Sequence, residues 1–122
     1  MNRLKASSII LMFIIIICYF GFQNICTISN QAINHIEKIE NSKSENTLEF
    51  YKNFKNYWDK KSKTLAMIVH HEHLEEIDQK IAELESSIEE NEKFEISKCC
   101  KCIKTNLKNL KETYEINLSN II

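Results

Sequence analysis

The seventeen residues from Ala6 to Phe22 carry no charge and are dominated by Ile, Leu, Met and Phe; no other feature restricts the fold of this chain so sharply. A helix that is apolar all round must be surrounded by apolar partners, and a chain of 122 residues is too small to surround this one. A bilayer can. A membrane span takes roughly 20 apolar residues, with a lower limit of about 17, and tolerating Gln23 and Asn24 extends the run to Ile28. Arg3 and Lys5 precede it, whereas the first cationic residue after it is Lys38. The positive-inside asymmetry therefore predicts a cytoplasmic segment at 1–5, a transmembrane anchor at 6–28 and an extracytoplasmic domain at 29–122. Tyr19, Phe20 and Phe22 fall where an outer aromatic belt would lie. A cleaved signal peptide would share the basic start and apolar middle, but it needs small residues at the cleavage site, and the surroundings of Gly21 do not supply that pattern. Cys18 and Cys26 each follow an Ile, where a lipoprotein signal would have a small residue.

The rest of the chain reads as helix. Pro is absent and Gly occurs once, at Gly21, so tight hairpins that require positive φ have almost no residues to form them. The expected fold is all-α: an N-terminal transmembrane helix followed by a small antiparallel helical bundle of two helical hairpins. A formal net charge of −1 provides no basic field for nucleic acid. The abundance of Ile, Lys, Asn and Glu suggests an AT-rich bacterial genome.

Periodicity divides the domain into segments. Ile25, Ile28, Ala32, Ile36 and Ile39 recur at steps of three and four, the mark of an amphipathic helix that continues from the anchor. Asn41 to Asn46 is a turn, with Ser44 and Asn46 as candidate N-caps. Phe50, Phe54, Tyr57 and Trp58 form an aromatic stripe read as core, opposite a solvated face of Lys52, Lys55, Lys60 and Lys61. The apolar phase then slips, so either the helix breaks at Ser62 or a continuous helix changes neighbours. Met67, Leu74, Ile77, Ile81, Leu84 and Ile88 make a second seam. Ile96, Cys100, Ile103, Leu107, Leu110 and Tyr114 make a third, after a polar connection. Folding these last two seams together pairs 84 with 103, 81 with 107 and 77 with 110. It also predicts ion pairs Glu85–Lys104 and Asp78–Lys111. The apolar tail, Ile116, Leu118, Ile121 and Ile122, is expected to pack back on the bundle.

Chemistry has two candidate places. His70, His71 and His73 are followed by Glu75, and His71 and Glu75 are spaced i, i+4 on one helix face, where they could share a metal. The bland alternative is that His70, which falls on the extrapolated second seam, is a core or boundary residue with a hydrogen-bonded ring. Cys99, Cys100 and Cys102 contain a Cys-x-x-Cys spacing, with Lys98, Lys101 and Lys104 available to stabilise thiolates. The alternative is packing, with Cys100 on the seam, Cys99 flanking it and Cys102 nearer solvent. No phosphate loop, Ser/His/Asp arrangement or carboxylate pair is recognisable, so neither an enzyme nor a cofactor nor a small-molecule substrate is expected.

The segments TyrTrpAspLysLysSerLysThrLeuAlaMetIleValHisHisGlu, LeuGluGluIleAspGlnLysIleAlaGluLeu and AsnLeuSerAsnIleIle resemble a family of small bacterial membrane proteins known as domain of unknown function 4363. Trp58, His71, Glu72 and Asn120 are the matching positions, and the three clustered cysteines are not part of the family pattern. The resemblance covers nearly the whole chain. It implies an anchored accessory protein of a membrane complex, since members are often encoded beside a multi-pass membrane protein. The expected partners are thus the lipid bilayer and a membrane protein, with an extracytoplasmic metal- or thiol-based sensor as the alternative.

Retention of the anchor is directly measurable. The mass of the mature chain is expected to include residues 1–23; a chain starting near residue 24 would contradict it.

Overall fold

The computed structural model describes the backbone of residues 2–121 and the side chains of residues 2–115. It contains four helices: α1 (Asn2–Glu40), α2 (Thr47–Ala66), α3 (His71–Glu89) and α4 (Lys93–Ile121). No strand occurs among the described residues. The all-α expectation is met.

The apolar run and the first amphipathic stripe belong to one unbroken helix. From Ile9 to Ile17 the large apolar side chains of α1 are exposed, whereas Ile25, Ile28, Ala32, Ile36 and Ile39 are buried. The bundle thus reaches back to Ile25, inside the segment that hydropathy alone assigns to the anchor. By length and composition, α1 can cross a membrane.

Contacts across the bundle give its direction. Tyr57 Oη donates to Gln31 Oε1 at 2.6 Å, Trp58 Nε1 to Asp78 Oδ1 at 2.7 Å, and Lys104 Nζ to Glu40 Oε1 at 2.9 Å. Between α2 and α3, Tyr51 meets Glu85 while Trp58 meets Asp78, and between α1 and α4, Glu40 meets Lys104 while Asn30 meets Lys111. Residue numbers rise on one helix as they fall on the other, so neighbours run antiparallel and the chain goes up, down, up and down. The hairpins α1–α2 and α3–α4 are joined mainly by packing of α1 on α4, and least by α2 on α3. The core consists chiefly of Ile and Leu, with Phe54 and Trp58 as its largest members. Burying each such side chain contributes about 1.5–3 kcal/mol.

The α3–α4 register agrees with the seam. Ser87 Oγ lies 3.9 Å from Cys99 Sγ, and His73 meets the edge of Tyr114. Leu84, Ile81 and Ile77, and their expected partners Ile103, Leu107 and Leu110, are all buried. The expected ion pairs are not formed. Glu85 accepts from Tyr51 Oη at 3.2 Å and Asp78 from Trp58, both on α2. Lys104 turns to Glu40, and Lys111 approaches Asn30 at 3.5 Å, both on α1. These positions flank the seam, and in a bundle of four the flanks face the lateral neighbours rather than each other.

Each turn has its own chemistry. Between α1 and α2, Asn46 stands at the N-cap position without a side-chain cap bond. Order there comes from Ser42, whose Oγ donates to the Ile39 carbonyl and lies within hydrogen-bond distance of Thr47 Oγ1, at 2.7 Å. Between α3 and α4, Asn91 has φ 58°. Its N–H bonds to the Ile88 carbonyl and that of Glu92 to Ser87, the Schellman pattern that favours Gly or Asn. Between α2 and α3, the break falls after Ala66 rather than at Ser62, because Leu65 is still fully buried. Ile68 and Val69 N–H both return to the Leu65 carbonyl. Met67 is therefore not a seam residue: it is 85% exposed. The expected packing of residues 116–122 concerns side chains outside those described.

Ser29 is fully buried, and its hydroxyl has no hydrogen-bond partner among the described residues. Such a group costs about 1–3 kcal/mol. Ser29→Ala is expected to raise stability by about 1 kcal/mol, whereas Leu107→Ala, which empties a core site, should lower it by about 2–5 kcal/mol. Thermal melts in detergent measure both, and a destabilised Ser29→Ala would contradict the packing described.

Candidate functional site

The histidine group opens α3. His70 occupies the N-cap position with φ −63° and ψ 138°, outside the helix, and its side chain is exposed rather than on the seam. Its backbone N–H donates to Tyr114 Oη at 2.8 Å. His71 Nε2 does meet Glu75 Oε1 at 2.7 Å, the pairing expected from i, i+4 spacing. This pair lies on the surface of the bundle, with His71 81% exposed. His73 turns the other way, its ring centroid 6.3 Å from that of Tyr114 and 6.5 Å from that of His70. Among the described residues, no three His, Cys, Asp or Glu side chains are placed to hold a metal. Glu72 lies in the first turn of α3, where a carboxylate interacts favourably with the helix dipole.

The cysteine group is part of the packing. Cys100 is fully buried on the seam, Cys99 is buried beside it and Cys102 is half-buried. Cys99 and Cys102 lie three residues apart on one helix, and all five cysteines are free thiols. Burial, with the Glu40 carboxylate nearby, pushes the Cys100 thiol up from 9.0 to about 12, against a smaller opposing effect of Lys104. Burial also raises Cys99, against a hydrogen bond from Ser87 that lowers it. Lys98 and Lys101 are exposed. The lysines therefore do not create a stabilised thiolate here; desolvation wins.

Two features lie outside the motifs that sequence reasoning selected. Trp58 is one of a pair of aromatic donors on α2, seven residues from Tyr51, and the two donate to Asp78 and Glu85, also seven apart on α3. Burial and the adjacent Glu85 push the Tyr51 phenol up, keeping it a donor. His35, on α1, rests against Tyr57 with ring centroids 5.0 Å apart. Burial and then Lys38 lower its pKa, which favours the neutral ring. The matched spacing of aromatics on one helix and carboxylates on the next was the signal available for the first pair.

Two clefts lie at the ends of the bundle. At the end carrying the α1–α2 and α3–α4 turns, a cleft of about 660 Å³ of mixed character is bordered by Ile39, Glu40, Thr47, Leu48, Ile88 and Asn91. Glu40 Oε2 is buried there without a hydrogen-bond partner among the described residues, while Oε1 holds Lys104. At the opposite end, an apolar groove of about 580 Å³ lies between α1 and the α2–α3 turn. Ile17, Phe20, Gly21, Met67, Ile68 and Tyr114 line it.

The family described as Domain of unknown function (DUF4363) matches residues 16–121, and the chain belongs to it. No curated protein and no solved structure matches the chain. The match begins within the exposed apolar part of α1 and extends through all four helices.

The raised Cys100 pKa has a sign that can be tested. In the folded protein this thiol stays neutral until about pH 12, whereas in the unfolded chain it ionises from about pH 9. Its contribution to stability is thus fully present below pH 9.0 and is lost as pH rises through the folded value. Denaturant midpoints should fall between pH 8 and pH 10.5, and Cys100→Ala should flatten that fall. An unchanged slope would show that the thiol is not desolvated.

Proposed function

We propose that this member of the family is a single-pass membrane protein whose bundle stands outside the cytoplasm as a non-catalytic interaction module beside a membrane-protein partner. The observation that supports this most is the continuity of α1: one helix carries both the exposed apolar run and the buried stripe from Ile25 to Ile39. A flexible tether would let the bundle tumble. An unbroken helix fixes its height and its rotation about the membrane normal, so each face has one orientation. Such preorganisation lowers the entropic cost of binding a partner that is itself fixed in the same membrane. Arg3 and Lys5 before the run, with no cation after it until Lys38, favour a cytoplasmic N-terminus.

The sensor reading has less support. His71 and Glu75 form an exposed surface pair, and Cys99 and Cys100 are buried with raised thiol pKa values.

Crosslinking in native membranes followed by pull-down of the full chain tests the proposal. One membrane protein should be enriched, and a membrane-impermeant amine reagent should label the bundle lysines on intact cells. A monomer with no enriched partner would count against the module, and labelling only after lysis would reverse the orientation.

A further inference from the structure

We propose that the α2–α3 turn is immersed in the outer leaflet, and that the groove between it and α1 takes the acyl chain of a phospholipid. This rests on the anchored reading above and adds a second, lateral contact between the bundle and the bilayer. Three observations on different elements meet at this point.

The first is depth. A Cβ added at Gly21 would lie 3.6 Å from Ile68 Cγ2, so the turn touches α1 one residue before the apolar run ends at Phe22. The turn is thus level with Phe20 and Phe22, at the boundary between acyl chains and headgroups where the aromatic belt would lie. The second is composition. Met67, Ile68 and Val69 are apolar, and Met67 projects with 85% of its surface exposed. Ile17 and Phe20 face it across the groove and are themselves 66% and 63% exposed. An aqueous turn of this kind would expose a contiguous apolar surface at a large energetic cost. In hydrocarbon the cost disappears. Polar backbone is tolerated there because Ile68 and Val69 N–H bond to Leu65 and His70 N–H to Tyr114.

The third is charge. α2 approaches the turn with Lys60, Lys61 and Lys63 exposed. At about 1.5 Å per residue, Lys63 stands about 6 Å above Met67 and Lys60 about 10 Å. The headgroup layer is about 5–7 Å thick on each side of the hydrocarbon. With Met67 in the acyl region, the lysines reach the phosphates and their stems cover the apolar surface below. On α3, which rises from the same turn, His71 and Glu72 open the helix at the level of the turn and Glu75 and Glu76 stand about 6–8 Å higher. The turn's backbone therefore lies at the headgroup boundary, the side chains of Met67 and Ile68 enter the acyl region, and the phosphate contact belongs to the α2 side. α4 runs on in the same direction, its backbone continuing seven residues past Tyr114 to Ile121.

Depth-dependent quenching tests the proposal in the full chain reconstituted in vesicles of phosphatidylcholine brominated near the middle of its acyl chains. Three single variants are compared with the parent, which supplies the Trp58 background: Met67→Trp at the turn, Phe94→Trp, 79% exposed at the far end of the bundle, and Phe13→Trp in the apolar run. The Met67→Trp and Phe13→Trp variants should each lose most of their added emission, and Phe94→Trp almost none. Quenching of Phe13→Trp without Met67→Trp would leave the anchor standing and overturn the immersed turn, giving the groove to water or to a protein partner. Loss of quenching at both positions would overturn the anchor and the turn together.

Discussion

Burial of one isoleucine-rich stripe on α1 sets the frame of this protein. Ile25, Ile28, Ala32, Ile36 and Ile39 occupy the face on which α2 and α4 pack. Because the same helix extends without a break to Asn2, the direction of that stripe also fixes how the exposed apolar run is presented. The hairpins can close only where the stripe begins, which brings the α2–α3 turn against Gly21. The packing of the bundle and the presentation of the apolar run are therefore one problem rather than two.

Polar groups then determine which helices stand side by side. The α2–α3 contact is the thinnest of the four and is crossed by two aromatic donors, Tyr51 and Trp58, reaching carboxylates on α3. The α1–α4 contact is the broadest, and it is crossed by Lys104 to Glu40 and Lys111 toward Asn30. Trp58 has its N–H satisfied while its ring lies in the core, so it links packing to register in one residue. That is a structural reason for a Trp at this place in the chain, and it requires no ligand.

Much of this was legible in the sequence because it depends on periodicity. The all-α class, the stripe on α1 and the antiparallel seam between α3 and α4 all follow from steps of three and four, and the polar connection near Asn91 was visible as such. What was not legible depended on neighbours. Glu85 and Lys104 are complementary along the hairpin, but a third and a fourth helix offered each of them a different partner. The α2–α3 break, left open between Ser62 and a continuous helix, was not legible for another reason: its turn stays in ordinary backbone conformations and needs neither Gly nor Pro, so nothing punctuates it. Leu65 holds the helix past Ser62, and His70 leaves the seam because the chain has already turned. At the candidate sites, spacing gave the His71–Glu75 pair and the graded exposure of Cys99, Cys100 and Cys102. It could not give the balance of desolvation against lysine charge, which depends on Glu40 and on burial.

The account depends on α1 being a single rigid body from the apolar run into the core. Hydrogen exchange of the full chain in lipid bilayers measures this directly, residue by residue through 17–32. The account predicts unbroken protection across Gly21 to Ile25, merging with that of the bundle core. A fast-exchanging gap between the apolar run and Ile25 would make the anchor a loose tether and would contradict it.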